Sequence, residues 1–192
     1  MDPLAWSLRS IMQRLMHRRV NSGLDLDDAA KSFLYHEDFG VYAPPFSLIG
    51  KTVLDLGACC GETAFFFGNK GAARVICVEP KADRAKRIRN NIPRIKAEVL
   101  VLEEPFSPDK HLLLDYDLIK CDIEGYEILL LPYAKNLKPC VVEVHNWYLH
   151  EQFEKVGFRA LTAPDDMLGV CIMANWPPSK PANGAKYNGK RL

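Results

Sequence analysis

Residue types able to do chemistry fall in four short stretches. Residues 53 to 63 read V-L-D-L-G-A-C-C-G-E-T, an apolar run that ends on Asp55 and breaks at Gly57 and Gly61. A second run, R-V-I-C-V-E-P, closes on Glu79 and Pro80. D-L-I-K-C-D-I-E-G carries Lys120, Asp122 and Glu124 at alternate positions, and C-V-V-E-V-H-N repeats the device with Glu143 and His145. Alternate residues of a strand share a face, so these spacings set ionisable groups on one side of two strands. A central strand is normally apolar on both faces, and charges there are costly unless paired or turned toward a site. A glycine turn after a strand holds a dinucleotide, a phosphate or S-adenosylmethionine, and acids with a histidine nearby can take up a proton.

The residues between the glycines discriminate among those ligands. The dinucleotide fingerprint needs glycine at 57, 59 and 62, but the chain has Gly57, Cys59 and Glu62. A cysteine side chain where the backbone must approach a pyrophosphate works against that ligand. Asp55 argues the same way: facing a bound anion at roughly 5 Å, it would cost about 3 kcal/mol at an effective dielectric of about 20. Facing an α-ammonium group it attracts, so the loop suits S-adenosylmethionine, which has a cationic end and no phosphate. Glu79, eighteen positions after Gly61, is placed to accept hydrogen bonds from both ribose hydroxyls. Thr63, at the start of the next helix, is expected to cap that helix or to touch the methionine carboxylate. The expected cofactor contacts are therefore Asp55, Gly57, Ala58, Cys59, Gly61, Thr63, Glu79, Pro80 and Asp122. The expected catalytic groups are Glu124, His145 and Asp122, with Glu124 or His145 receiving the acceptor's proton, since histidine titrates near neutrality. Tyr126, Trp147 and Tyr148 follow the strand ends and are expected to line an acceptor pocket.

These stretches need a frame that brings strand ends together. Strands are predicted over 51–57, 74–80, 97–104, 117–125 and 140–146, with helices over 62–71, 81–92, 126–137 and 148–157 between them, the third broken at Pro132. Alternating strands and helices imply a parallel sheet with helices on both faces. Residues 158–163 and 169–175 flank P-D-D-M-L as a closing hairpin that adds an antiparallel strand at one edge. Leu4, Leu8, Ile11, Met12, Leu15 and Met16 recur at helical spacing beside arginines, as a basic amphipathic helix that packs on the domain or contacts a membrane surface or partner. The expected organisation is a helical and irregular cap over 1–47, holding His36 and Glu37 as lid candidates, a domain over 48–176, and a disordered basic tail over 177–192.

Composition narrows the function classes. The 192 residues are 48% hydrophobic, which suits one domain with a real core. The net charge of +1 hides an uneven distribution: the first twenty residues carry +3 and the last sixteen +4, leaving the body near −6. An acidic body with basic ends disfavours a nucleic-acid groove across the core, while leaving tail contacts open. The six cysteines show no C-x-x-C spacing, so they are read as thiols of a reducing cytoplasm and no metal site is expected. No apolar run nears the roughly 20 residues of a membrane span, and the first residues are too mixed for a signal peptide.

V-L-D-L-G-A-C-C-G-E-T, V-I-C-V-E-P, D-L-I-K-C-D-I-E-G-Y-E and V-V-E-V-H, in that order, resemble the FkbM family of class I S-adenosylmethionine-dependent methyltransferases over residues 48 to 175. The family typically reads D-x-G-A-N-x-G, V-x-x-x-E-P, I-K-x-D-x-E-G-x-E and E-x-H. The resemblance implies a Rossmann-like, seven-stranded, mostly parallel sheet with an antiparallel last strand. It also implies S-adenosylmethionine as cofactor and O-methylation of a small-molecule or sugar hydroxyl, the acceptor being a small molecule or glycan. Cys59 departs from the family, standing where Asn is usual. Three rival readings are RNA methylation served by the basic ends, a non-catalytic S-adenosylmethionine-binding or scaffold domain, and an NAD-dependent oxidoreductase. The first lacks an N-P-P-Y or D-P-P-Y stretch after the fourth strand, and the last fails on glycine spacing.

Overall fold

A computed structural model of the chain describes residues 23–28, 30–31, 39–164 and 170–176. The expected amphipathic helix near the first residue, the lid candidates His36 and Glu37, the turn of the closing hairpin and the basic tail lie outside the described residues.

Seven strands form one sheet: β1 (Thr52–Leu56), β2 (Arg74–Val78), β3 (Glu98–Leu102), β4 (Leu118–Cys121), β5 (Cys140–Val144), β6 (Arg159–Ala160) and β7 (Cys171–Ala174), in the spatial order β3-β2-β1-β4-β5-β7-β6. The first five are mutually parallel, and β7 runs antiparallel to both β5 and β6. The hairpin expected at residues 158–175 therefore forms, but its antiparallel strand is not at the edge. β7 is inserted between β5 and β6, because residues 171 to 174 are buried on both faces whereas β6 is only two residues long.

Among the described residues, four complete α-helices accompany the sheet: α1 (Glu62–Asn69), α2 (Ala82–Asn91), α3 (Pro108–His111) and α4 (Trp147–Lys155). α3 occupies what reads as a loop in the sequence. Its start is marked by Ser107 and Pro108, and His111 turns back to share hydrogen bonds with Ser107. Tyr126–Asn136 forms 3-10 turns rather than an α-helix. Pro132 lies inside this stretch and lacks the N–H that an α-helical ladder needs there.

Period-2 alternation divides the core into two layers. Val53, Val75, Cys77, Leu118 and Val141 face α1, where they pack with Ala64, Phe66 and Phe67 and with Ile88 of α2. Leu54, Leu56, Ile76, Ile119, Cys121, Val142 and Val144 face the other way, onto Leu130, Leu149 and Phe153. Helices thus cover both faces, as parallel strands require. Cys77, Cys121, Cys140 and Cys171 are buried in strands as free thiols.

The segment ahead of β1 is tied to this body. Leu26 and Ala30 enter the first core layer. Asn91 of α2, fully buried, donates to the carbonyls of Asp25 (3.0 Å) and Cys60 (2.9 Å) and accepts from the Asp25 amide (2.7 Å). Arg84 and Arg87 pair with Asp27 and Asp25. A 3-10 turn, Phe39–Tyr42, then brings Phe39 and Tyr42 over the carboxyl ends of β1 and β4.

Candidate active site

The strand order reverses direction between β1 and β4, and ligands of open α/β sheets bind beyond the carboxyl ends of strands at such a point. A cleft of about 250 Å³ opens there. Gly57, Cys59, Glu62 and Thr63 form one wall, Glu79, Pro80, Lys81 and Arg84 a second, and Lys120, Asp122, Glu124 and Tyr126 a third, with Phe39 and Tyr42 above.

The glycine loop turns on residues with positive φ: Gly57 (75°), Cys59 (48°) and Gly61 (89°). A left-handed Cys is sterically costly, whereas Asn tolerates that conformation through local hydrogen bonding. The backbone thus explains why asparagine suits position 59. Gly61 is the N-cap of α1 and packs on Ile88. Ala58 is buried in the core, its amide 3.2 Å from the Val78 carbonyl. Neither Ala58 nor Gly61 lines the cleft, so their part in it is to shape the loop.

Asp55 also stands behind the wall rather than on it. It is fully buried and accepts the Thr63 hydroxyl at 2.5 Å, with Lys120 Nζ 3.2 Å from its other oxygen. Asp55, expected to attract a cofactor ammonium directly or through a water, thus meets Thr63 and Lys120 and does not itself line the cleft. Thr63, correspondingly, does not cap α1; its hydroxyl is committed to Asp55. Lys120 donates to the Gly57 carbonyl at 2.8 Å and lies 3.9 Å from Asp122. Burial acts to lower the Lys120 pKa, but Asp55 and Asp122 outweigh it and hold the ammonium charged.

Glu79 is 3% exposed and grips the loop: Oε2 accepts the Cys59 amide at 3.0 Å and Oε1 the Lys81 amide at 2.9 Å. Each oxygen keeps a second lone pair for a ligand. Burial raises its pKa, opposed by those amides.

Glu62, read in the sequence only as an obstacle to a pyrophosphate, also lines the cleft. It is 5% exposed and accepts the Cys60 amide at 3.0 Å. Burial pushes its carboxyl up to about 7, from an ordinary 4.5. A carboxyl with a raised folded pKa stabilises the fold most below its unfolded pKa, and that stability is lost as pH rises toward the folded value. Stability should therefore fall between pH 4.5 and about 7. Glu62→Gln keeps the acceptor for the Cys60 amide and removes the charge. It is expected to exceed the parent by about 2–3 kcal/mol near pH 8, and by under about 1 kcal/mol near pH 5, in urea unfolding. Equal differences at the two pH values would contradict this.

β4 ends at Cys121, shorter than the predicted strand, because Glu124 has φ 55° and Gly125 φ 99°. The alternation carrying Lys120, Asp122 and Glu124 on one face therefore stops at the strand end. The turn sets Asp122 and Glu124 on the cleft wall instead. Glu127 holds this turn: fully buried, its Oε1 accepts the Ile123 and Gly125 amides at 3.0 and 3.1 Å and lies 3.1 Å from His145 Nδ1. Glu127 escaped the sequence reading as a site residue; the only signal was its place in the D-I-E-G-Y-E stretch.

His145 stands behind Asp122 and Glu124, its Nε2 3.6 and 3.7 Å from their carboxylates. Burial acts to lower its pKa, but Glu127, Asp122 and Glu143 outweigh it and raise it to about 9. The surrounding carboxylates thus favour the imidazolium form over a free proton acceptor. Burial raises Asp122 to about 6, against the pull of Lys120. Glu143 accepts the Tyr42 hydroxyl at 2.6 Å, joining β5 to the segment ahead of β1. Tyr126 lines the cleft and is 68% exposed; Trp147 and Tyr148 are exposed on α4 but do not line it.

No family model and no curated protein matches the chain. Solved structures do. The precorrin-6y C5,15-methyltransferase of Geobacter metallireducens superposes with a TM-score of 0.59 at 17% identity, covering 83% of this chain and 96% of its own. The magnesium protoporphyrin IX methyltransferase of Synechocystis PCC 6803, solved with bound S-adenosylhomocysteine, gives 0.56 at 11% identity over 83% and 91%. The C-terminal domain of precorrin-6Y C5,15-methyltransferase of Rhodobacter capsulatus gives 0.55 at 17% over 80% and 92%. The chain has the Rossmann-like fold of class I methyltransferases, with its mostly parallel seven-stranded sheet and antiparallel last strand.

Proposed function

We propose that the chain binds S-adenosylmethionine in this cleft and, as an FkbM-type enzyme, transfers the methyl group to a hydroxyl of a small molecule or glycan. The observation carrying this reading is Glu79: a buried carboxylate at the end of β2, clamped by two amides of the cleft wall, with free lone pairs for a vicinal diol. The residues present fit the cofactor. Glu79 would hold the ribose, and the wall of Glu62, Thr63 and Asp122 offers acceptors toward a cationic end.

When bound, S-adenosylmethionine supplies an electrophilic methyl on a sulfonium. Glu124 lines the cleft on an exposed turn and is the group placed to accept the acceptor hydroxyl's proton as oxygen replaces sulfur on the methyl carbon. Asp122, 3.9 Å from Lys120, lines the same wall as Glu124. His145 is a positioning residue: its charge holds Asp122 and Glu124 close while Glu127 fixes its ring.

Calorimetric titration with S-adenosylhomocysteine tests the cofactor assignment. The parent is expected to bind in the micromolar range. Glu79→Gln, which replaces a charged acceptor with one that cannot serve both amides and both hydroxyls, is expected to weaken binding by about ten- to a hundredfold, or 1.5–3 kcal/mol. An unfolding midpoint for the variant shows whether the loop survives. Absence of binding by the parent would sink the proposal.

A further inference from the structure

Asp122, Glu127 and His145 make a second arrangement that proton transfer alone does not require. One donor atom from each lies within 4.8 Å of the other two. His145 Nε2 is 3.6 Å from Asp122 Oδ1, and its other ring nitrogen, Nδ1, is 3.1 Å from Glu127 Oε1. A first-row metal ion bound to nitrogen and oxygen at about 2.0–2.2 Å sets its ligand atoms roughly 3–3.5 Å apart. The set with one donor per residue, held within 4.8 Å, lies above that range by an amount that small side-chain rotations can close.

Two oxygens in this cluster are buried and have no hydrogen-bond partner: Asp122 Oδ1 and Glu127 Oε2. Glu127 is fully buried, so its bare oxygen is an unusual cost in a group whose other oxygen is saturated. The charge is also out of balance. Asp122, Glu124, Glu127 and Glu143 bring four carboxylates around His145, and among the described residues Lys120 is the one lysine paired to any of them. Even a protonated imidazole leaves an excess of negative charge, which a divalent ion in place of the imidazole proton would reduce.

We propose that Asp122, Glu127 and His145 bind a divalent first-row transition-metal ion at the acceptor end of the cleft. Mixed carboxylate and imidazole donors suit manganese, iron, cobalt or zinc better than magnesium or calcium. Asp122 lines the cleft, so the ion has an open side there, where it would polarise an acceptor hydroxyl and ease its deprotonation. That use rests on the methyl-transfer reading; the binding itself does not.

The test is a Mn²⁺ titration of the full chain without cofactor, followed by the loss of the free-ion electron paramagnetic resonance signal and by paramagnetic broadening of the histidine ring protons in NMR spectra. One saturable micromolar site is expected, with His145 broadened first. Asp122→Asn and His145→Gln should each weaken binding by about tenfold or more. Asp27→Asn, which alters the only other candidate cluster among the described residues, Asp27 with Cys59 and Cys60, should leave it unchanged. No saturable binding by millimolar Mn²⁺, binding that survives Asp122→Asn, or broadening elsewhere would each overturn the proposal. S-adenosylhomocysteine binding measured on the same metal-free sample reports the cofactor reading independently.

Discussion

Lys120→Met should lower the unfolding free energy by about 3–5 kcal/mol, the range found when one partner of a buried ion pair is removed. Lys120 is 2% exposed, and its ammonium serves Asp55, Asp122 and the Gly57 carbonyl together. Methionine fills the same volume, so the loss is electrostatic rather than a cavity. It leaves Asp55, with no exposed surface, holding a charge that only the Thr63 hydroxyl answers. The double variant Asp55→Asn, Lys120→Met removes both charges and should recover a large part of the loss. Its cost should fall below the sum of the singles by at least about 1 kcal/mol. Urea unfolding of the three variants measures this cycle. A single-variant cost under about 1 kcal/mol, or strict additivity, would show that Lys120 and Asp55 are not coupled.

Gly57→Ala is expected to be at least as damaging, for a steric reason. Gly57 has φ 75°, and a Cβ there would meet the Asp122 carbonyl oxygen at 1.8 Å and its carbon at 2.9 Å. Those are backbone atoms of the residue whose amide bonds to the Leu56 carbonyl, so they cannot retreat without opening β1 from β4. The comparison is Gly125→Ala: φ is 99°, but nothing lies within 4 Å of the added carbon. Gly125→Ala should cost only the left-handed backbone penalty, about 1–2 kcal/mol. Gly57→Ala should cost more than about 4 kcal/mol, or yield no folded protein, and should abolish S-adenosylhomocysteine binding. Equal unfolding midpoints for the two variants would refute the argument.

Several elements could be read directly from the chain. Near-continuous apolar runs marked β1, β2, β4 and β5, because strands buried on both faces need continuous apolar sequence, whereas the edge strand β3 alternates with exposed positions. Gly68 and Gly71 marked the end of α1, and Pro93 the end of α2. Asp55, Glu79, Asp122, Glu124 and His145 all lie in or beside the carboxyl-end site, since residues closing successive parallel strands gather at one end of the sheet. Gly57, Cys59, Thr63 and Pro80 line the cleft with Glu79, Asp122 and Glu124.

Which of these groups touch one another depended on strand order, and that is not written in any local pattern. β1 and β4 are sixty-odd residues apart in sequence yet neighbours in the sheet, with Asp55 directly opposite Lys120. That register turns Asp55 from an open ligand group into one half of a buried ion pair. Tyr42 reaches Glu143 across 101 residues, and Glu127 folds back beneath His145 through a turn that begins at a left-handed glutamate. Such contacts follow from the packing of the whole sheet. The amino-acid sequence by itself determined which residues could carry charge to the cleft. Tertiary structure decided which of those charges remain available there, because burial and a close counter-charge set the state of an ionisable group.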